Sequence, residues 1–99
     1  MAVEFTLAPE AAADLDEAYA WYERQRTGLG EEFLGSVEAC IEQICRNPEW
    51  CPIVHEQYRR VLVRRFPYGI FYDFADQKVT VYAVSHTARD PAKWRQRLA

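Results

Sequence analysis

The stretch from Tyr58 to Pro91 constrains this fold more than any other part of the chain. Val61 and Val63 alternate with Leu62 and Arg64, and Ile70-Phe71-Tyr72 follows Phe66-Pro67-Tyr68-Gly69. Val79, Val81 and Ala83 then alternate with Thr80, Tyr82 and Val84. Period-two patterning in β-branched and aromatic residues predicts three short strands. The breaks at Pro67-Tyr68-Gly69 and Ala75-Asp76-Gln77 are too short for parallel crossovers, so the three strands form an antiparallel meander.

The residues before the meander are patterned to cover one face of it. Val3-Glu4-Phe5-Thr6-Leu7 alternates and predicts a short N-terminal strand. Ala8-Pro9 opens a helix, with Pro at its favoured first position and Glu10 in the electropositive first turn. Leu15, Ala18, Tyr19 and Tyr22 give that helix its apolar stripe, while Asp14 and Glu17 fall on the face read as solvated. Trp21 lies off the stripe, either flanking the core or exposed for a partner. Thr27-Gly28-Leu29-Gly30 ends the helix, and a second is predicted over 31–46. Phe33, Leu34, Val37, Cys40, Ile41, Ile44 and Cys45 form its stripe, Gly35 interrupts it, and Asn47-Pro48 stops it. So short a connection makes the two helices antiparallel neighbours. Residues 49–57 read as an irregular return to the sheet. Asp90-Pro91 reads as the cap and first residue of a short basic C-terminal helix. The expected fold is therefore α+β. A helical hairpin packs on one face of an antiparallel sheet whose last three strands are the meander, and a short helix follows. Residues 1–99 form one domain.

Charge is divided along the chain. Residues 1–57 hold twelve acids and three bases, whereas residues 58–99 hold three acids and nine bases, within a net charge of −3. Such a division predicts an electropositive face for an anionic partner, either nucleic acid or an acidic protein segment. The alternative is that the helices are simply solvated and the strand arginines guard an edge. No apolar run approaches the roughly 20 residues of a membrane span, and no secretory signal is visible, so a cytoplasmic protein without membrane contact is expected. Three cysteines, Cys40, Cys45 and Cys51, read as reduced thiols, two of them on an apolar helix face. Neither they nor His55 and His86 have metal-ligand spacing, and no cofactor is expected.

Enzyme motifs are few. There is no glycine-rich phosphate loop and no Gly-x-Ser-x-Gly elbow. The unusual polar set is Arg59, Arg60, Arg64, Arg65, Tyr68, Tyr72, Tyr82, His86 and Arg89. Guanidinium planes pair with phosphates or carboxylates, and tyrosine rings stack or anchor. His86 could serve as acid or base if Arg89 or Arg64 stabilised a developing phosphate charge; a hydrogen-bonded structural histidine is the other reading.

Specific segments resemble a known family. They are Ala13-x-Leu15 with Trp21-Tyr22, Gly30-x-x-Phe33, Asn47-Pro48, the run from Arg60 to Tyr72 with its Arg65-Phe66-Pro67-Tyr68 turn, and Val84-Ser85-His86-Thr87-Ala88-Arg89-Asp90-Pro91-x-x-Trp94. Over nearly the whole chain this resembles the RelE/ParE superfamily of bacterial type II toxin–antitoxin toxins. The resemblance implies a cognate antitoxin that wraps the toxin, for which Trp21, Tyr22, Arg60, Arg64 and Tyr72 are the candidate contacts. It also implies one of two targets. ParE-like toxins act on DNA gyrase, and RelE-like toxins cleave mRNA on the ribosome.

This chain departs from the nuclease pattern. It is net acidic, Tyr68-Gly69 stand where a basic residue is usual, and Thr87 and Ala88 follow His86. The ParE-like reading is therefore preferred, with no catalytic residue assigned. If the chain were a ribosome-dependent endoribonuclease, the candidates would be His86, Arg89, Arg64 and Tyr68. An inactive relative serving as a protein-binding module is a further alternative. The target-facing set is Arg65, His86, Arg89, Trp94, Arg95 and Arg97. Trp94 is expected near the sheet edge, holding Arg89, Arg95 and Arg97 beside His86; otherwise it only anchors the terminus.

Overall fold

A computed structural model describes residues 3–98. β1 (Glu4–Leu7) leads into α1 (Pro9–Gln25) and α2 (Leu29–Arg46). Then come β2 (Ile53–His55), β3 (Tyr58–Leu62), β4 (Tyr68–Ala75), β5 (Lys78–His86) and α3 (Pro91–Leu98). The strands form one sheet in the order β1-β5-β4-β3-β2. The α+β architecture, the helical hairpin and the meander are as expected.

The sheet differs from expectation in three ways. First, it is mixed. β1 pairs with β5 in parallel, Phe5 opposite Val79. The intervening chain supplies the long crossover that a parallel pair needs. Second, the segment expected to be irregular contains β2, antiparallel to β3. Three residues are too few to display a period. The segment is held instead by Arg59, whose Nη1 donates to the carbonyls of Glu49 (2.9 Å) and Cys51 (2.7 Å), and by Tyr72, whose hydroxyl donates to the Pro48 carbonyl (2.9 Å). Third, the alternation along β5 breaks after Val81. Phe71 lies opposite Ala83 but Tyr72 lies opposite Val81, which leaves Tyr82 as an extra residue in a bulge. Val79, Val81 and Val84 therefore join the core under the hairpin, while Ala83 packs with Phe71 and Leu98 on the opposite face.

Turn chemistry fixes the meander. Asp76 and Gln77 both adopt positive φ, 54° and 61°, which is the two-residue turn whose twist matches antiparallel strands. The hairpin has its own fixture. Gly28 takes φ 90° ahead of α2, and the Glu23 carboxylate accepts the N–H groups of Gly28 and Gly30, both at 2.9 Å. An acid thus satisfies orphan donors at the positive end of a helix. Gly30 is required by close approach, because a Cβ there would meet the Tyr19 ring and Glu23 Cγ at 2.8 Å. Phe33, Val37, Cys40 and Ile44 of α2 and Ala11, Ala18 and Tyr22 of α1 are buried against the sheet.

β1 ends at Leu7, so β5 is an uncovered edge beyond Val81. There the Asp14 carboxylate, from α1, accepts the Val84 N–H (2.9 Å) and a two-pronged contact from Arg97 of α3 (Nη1 2.7 Å, Nη2 3.2 Å). The sequence reading placed Asp14 on the solvated face; its side chain is only 13% exposed. The correction is physical, because a sheet edge with free N–H groups draws in an acceptor.

Candidate functional site

Two recesses open where β4 begins and β5 ends, one on each side of the sheet, and Arg89 lines both. On the hairpin side is a groove of about 470 Å³, lined by Trp21 and Tyr22 of α1, by Tyr68 and His86, and by the charged groups Asp14, Glu17, Arg24 and Arg89. Tyr68 and His86 are cross-strand partners with ring centroids 5.2 Å apart, edge to face. The Ala88 N–H donates to His86 Nδ1 (3.0 Å), so a neutral ring carries its proton on Nε2. Burial pushes the Tyr68 hydroxyl above its usual range, opposed by the Arg89 charge and reinforced by Glu17 and Asp14. The hydroxyl therefore stays protonated near neutral pH, a donor rather than a base.

On the other side is a recess of about 80 Å³ bounded by Arg60, Gly69, Phe71, Ser85, Arg89 and Trp94, among others. Gly69 matters here because a Cβ would meet Arg60 Cδ at 3.1 Å, so its absence lets the arginine stem lie across the strand.

The expected target-facing residues do not form one patch. His86 and Arg89 lie together. Trp94 packs on the sheet face rather than its edge, stacked on Phe71 at 4.6 Å, with Arg95 over its ring at 5.3 Å. Arg97 is tied to Asp14, and burial of the pair is partial. Arg97 is thus held by Asp14 and not by Trp94. Arg65 sits beside the first turn of α2, paired with Glu32 at 2.9 Å, and lines neither recess. Of the nuclease candidates, Tyr68, His86 and Arg89 converge, whereas Arg64 lines a separate cavity with Cys40, Gly35 and Ala39.

The expected antitoxin contacts also divide. Trp21 is 50% exposed, Arg60 is half-buried and Arg64 is exposed. Tyr22 and Tyr72 are core residues, at 8% and 0% exposure; Tyr22 still shows part of its ring to the groove, whereas Tyr72 is enclosed. Both lie on the inward face of an amphipathic element, and that position overrides the aromatic signal. Arg59 is likewise structural, and Tyr82 donates to the Asp73 carboxylate at 3.3 Å. Sequence reading missed Ser85 and Asp14 as site-forming groups. Asp14 was detectable, because it lies three residues from Ala11 and four from Ala18 on the buried face of α1.

Among the described residues there is no group of His, Cys, Asp and Glu suited to a metal ion, and no helix long and apolar enough to cross a membrane. The fold is similar to that of a protein from the chromosomal ParDE system of P. aeruginosa, at TM-score 0.64 and 19% identity over 85% of this chain and 95% of that one. It is similar to a chain of the RelBE2 toxin–antitoxin complex of Mycobacterium tuberculosis at 0.62 and 18%, over 87% and 99%. E. coli RelE in the free state matches at 0.61 and 14%, over 99% and 96%. Among curated proteins, none matches the sequence. The family model of ParE toxins of type II toxin–antitoxin systems, parDE, matches residues 5–91, and the chain belongs to that family.

Proposed function

We propose that this toxin is held by a cognate antitoxin and acts by binding and inhibiting DNA gyrase in the cytoplasm. The observation that carries the reading is the ParE-family match over residues 5–91. The chemistry at the open end of the sheet supports it. Tyr68 is a half-buried donor, His86 Nδ1 accepts a backbone N–H, and Arg64 stands apart, so among the described residues no side-chain acid or base lies at hydrogen-bond distance from His86. Two-sided proton transfer of the kind that cleaves a phosphodiester asks for more. A net charge of −3 also opposes docking into ribosomal RNA. The candidate target contacts are His86, Arg89, Trp94 and Arg95, with Arg65 outside both recesses and Arg97 acting through Asp14.

Ribosome-dependent mRNA cleavage is the second reading. It is favoured by the convergence of Tyr68, His86 and Arg89 and by the fold shared with RelE. One preparation assayed both ways decides. The gyrase reading expects loss of supercoiling or accumulation of cleaved DNA, with mRNA intact on ribosomes. Cut mRNA that depends on His86 would replace it with the nuclease reading.

The ParDE and RelBE neighbours support an antitoxin partner, and exposed Trp21 beside the 470 Å³ groove is the proposed anchor. Co-expression with the adjacent small reading frame should give a co-purifying complex, weakened by Trp21→Ala. Absence of any complex removes the antitoxin reading.

A further inference from the structure

The recess on the sheet face opposite the hairpin contains an unspent donor. Ser85 is only 6% exposed, and among the described residues no group lies within hydrogen-bond reach of its Oγ. Buried hydroxyls are ordinarily paired, and leaving one unpaired is unfavourable. Ser85 faces Gly69 across the β4–β5 pair, so no side chain opposes it. The same recess is bounded by Arg60 and Arg89, neither of which makes an ion pair among the described residues, and its volume is about 80 Å³. A hydroxyl and two guanidinium groups are donors only toward an anion, and arginine forks match planar or tetrahedral oxyanions.

The walls select among anions. Phe71, Trp94 and Pro91 make one side apolar, which suits an oxyanion carried on a methylene stem. The space is that of about two or three water molecules, enough for a carboxylate with one or two methylenes. The same sheet face carries Asp73, whose carboxylate a polyphosphate chain running along the strands would meet and a single inserted group would not. We propose that this recess receives one carboxylate, that of an acidic side chain on a protein partner, with Ser85 Oγ, Arg60 and Arg89 as its donors. The site stands whichever target the toxin has.

Propionate is the probe, because it reproduces the end of a glutamate side chain. Titrated into the isotope-labelled full chain, it should saturably shift the amide signals of Gly69 and Ser85 and the indole N–H of Trp94, while 1-propanol should not. Arg60→Gln should weaken the effect by roughly tenfold. Ser85→Ala should weaken it by roughly fivefold and yet leave Tm unchanged or raised, because it removes an unpaired hydroxyl. That combination separates a ligand-binding serine from a structural one. Inorganic phosphate moving these signals without propionate would make this a phosphate site and overturn the proposal. Tighter binding of N-acetylalanine would point to a chain terminus and overturn the side-chain assignment. No saturable shift with any probe, or a lower Tm in Ser85→Ala, would mean that the hydroxyl is not a free donor and that the recess is not a carboxylate site.

Discussion

Removing the Asp14 carboxylate should loosen three elements at once. Asp14→Ala strips the Val84 N–H of its acceptor and leaves Arg97 without its partner, at a place where the carboxylate is 13% and the guanidinium side chain 30% exposed. An orphaned backbone donor is unfavourable by about 1–3 kcal/mol, and a charge-assisted pair contributes about 1.5–3 kcal/mol before allowance for partial exposure. Because the two losses share one group, the sum is not additive, and about 2–3 kcal/mol is expected. For a domain of this size, 1 kcal/mol moves Tm by about 4–8 °C, so Tm should fall by roughly 8–24 °C. Asp14→Asn keeps an acceptor for Val84 and loses only the charge, so it should fall by about half as much. Arg97→Gln should be unfavourable by about 1 kcal/mol, and its cycle with Asp14→Asn should give a coupling of about 1 kcal/mol. Thermal melts at low and high salt read all of this, and the partly buried pair should respond weakly to salt. If Asp14→Ala lowers Tm by less than about 3 °C, or if the cycle is additive, the clamp is not holding the β5 edge.

Two glycines of α2 should respond with opposite sign. Gly35→Ala has no atom within 4 Å of the new Cβ and should stabilise by about 1 kcal/mol, whereas Gly30→Ala meets the Tyr19 ring and should destabilise by about 1–3 kcal/mol in urea melts. Asp73 gives a pH signature. Burial raises its carboxyl above the ordinary 3.8, with the Tyr82 hydroxyl opposing, so its ionisation disfavours the folded state. Its stabilising contribution is therefore present below about pH 4 and lost as pH rises through the raised value. Asp73→Asn should accordingly raise Tm at pH 7 and leave it unchanged near pH 3, and equal shifts at both values would contradict the sign. Arg89→Ala with Arg95→Ala should abolish growth inhibition while antitoxin binding and Tm persist. Arg97 is left out of this test because it is tied to Asp14.

What could be read from the sequence divides by physical range. The meander, the hairpin and the α3 start are set by local terms. Strand periodicity, the Asp76-Gln77 turn and the α2 stripe each act within a few residues, and Asp90 Oδ1 does accept the Ala92 N–H at 3.0 Å. The parallel seating of β1 and the addition of β2 depend on edges that exist only once the sheet has formed; the alternation of β1 announces a strand but not its partner, and the three residues of β2 carry no period. The same holds for the site. Tyr68, His86 and Arg89 were legible because the Tyr68–His86 pairing follows from the register of two adjacent strands. Asp14 and Arg97 lie 83 positions apart and meet only because β1 is shorter than β5, so no local signal joined them. Tyr22 and Tyr72 show the converse, in which residue type suggests recognition while position on the inward face dictates burial. The bulge at Tyr82 has the widest consequence. By adding one residue to β5 it turns Ala83 and Ser85 toward the face with Phe71 and Trp94, and Val84 toward the hairpin. With strict alternation Ser85 would sit beneath the helices and Val84 would line the recess with Arg60. One extra residue thus decides whether the open end of the sheet offers an anion a hydroxyl or a valine.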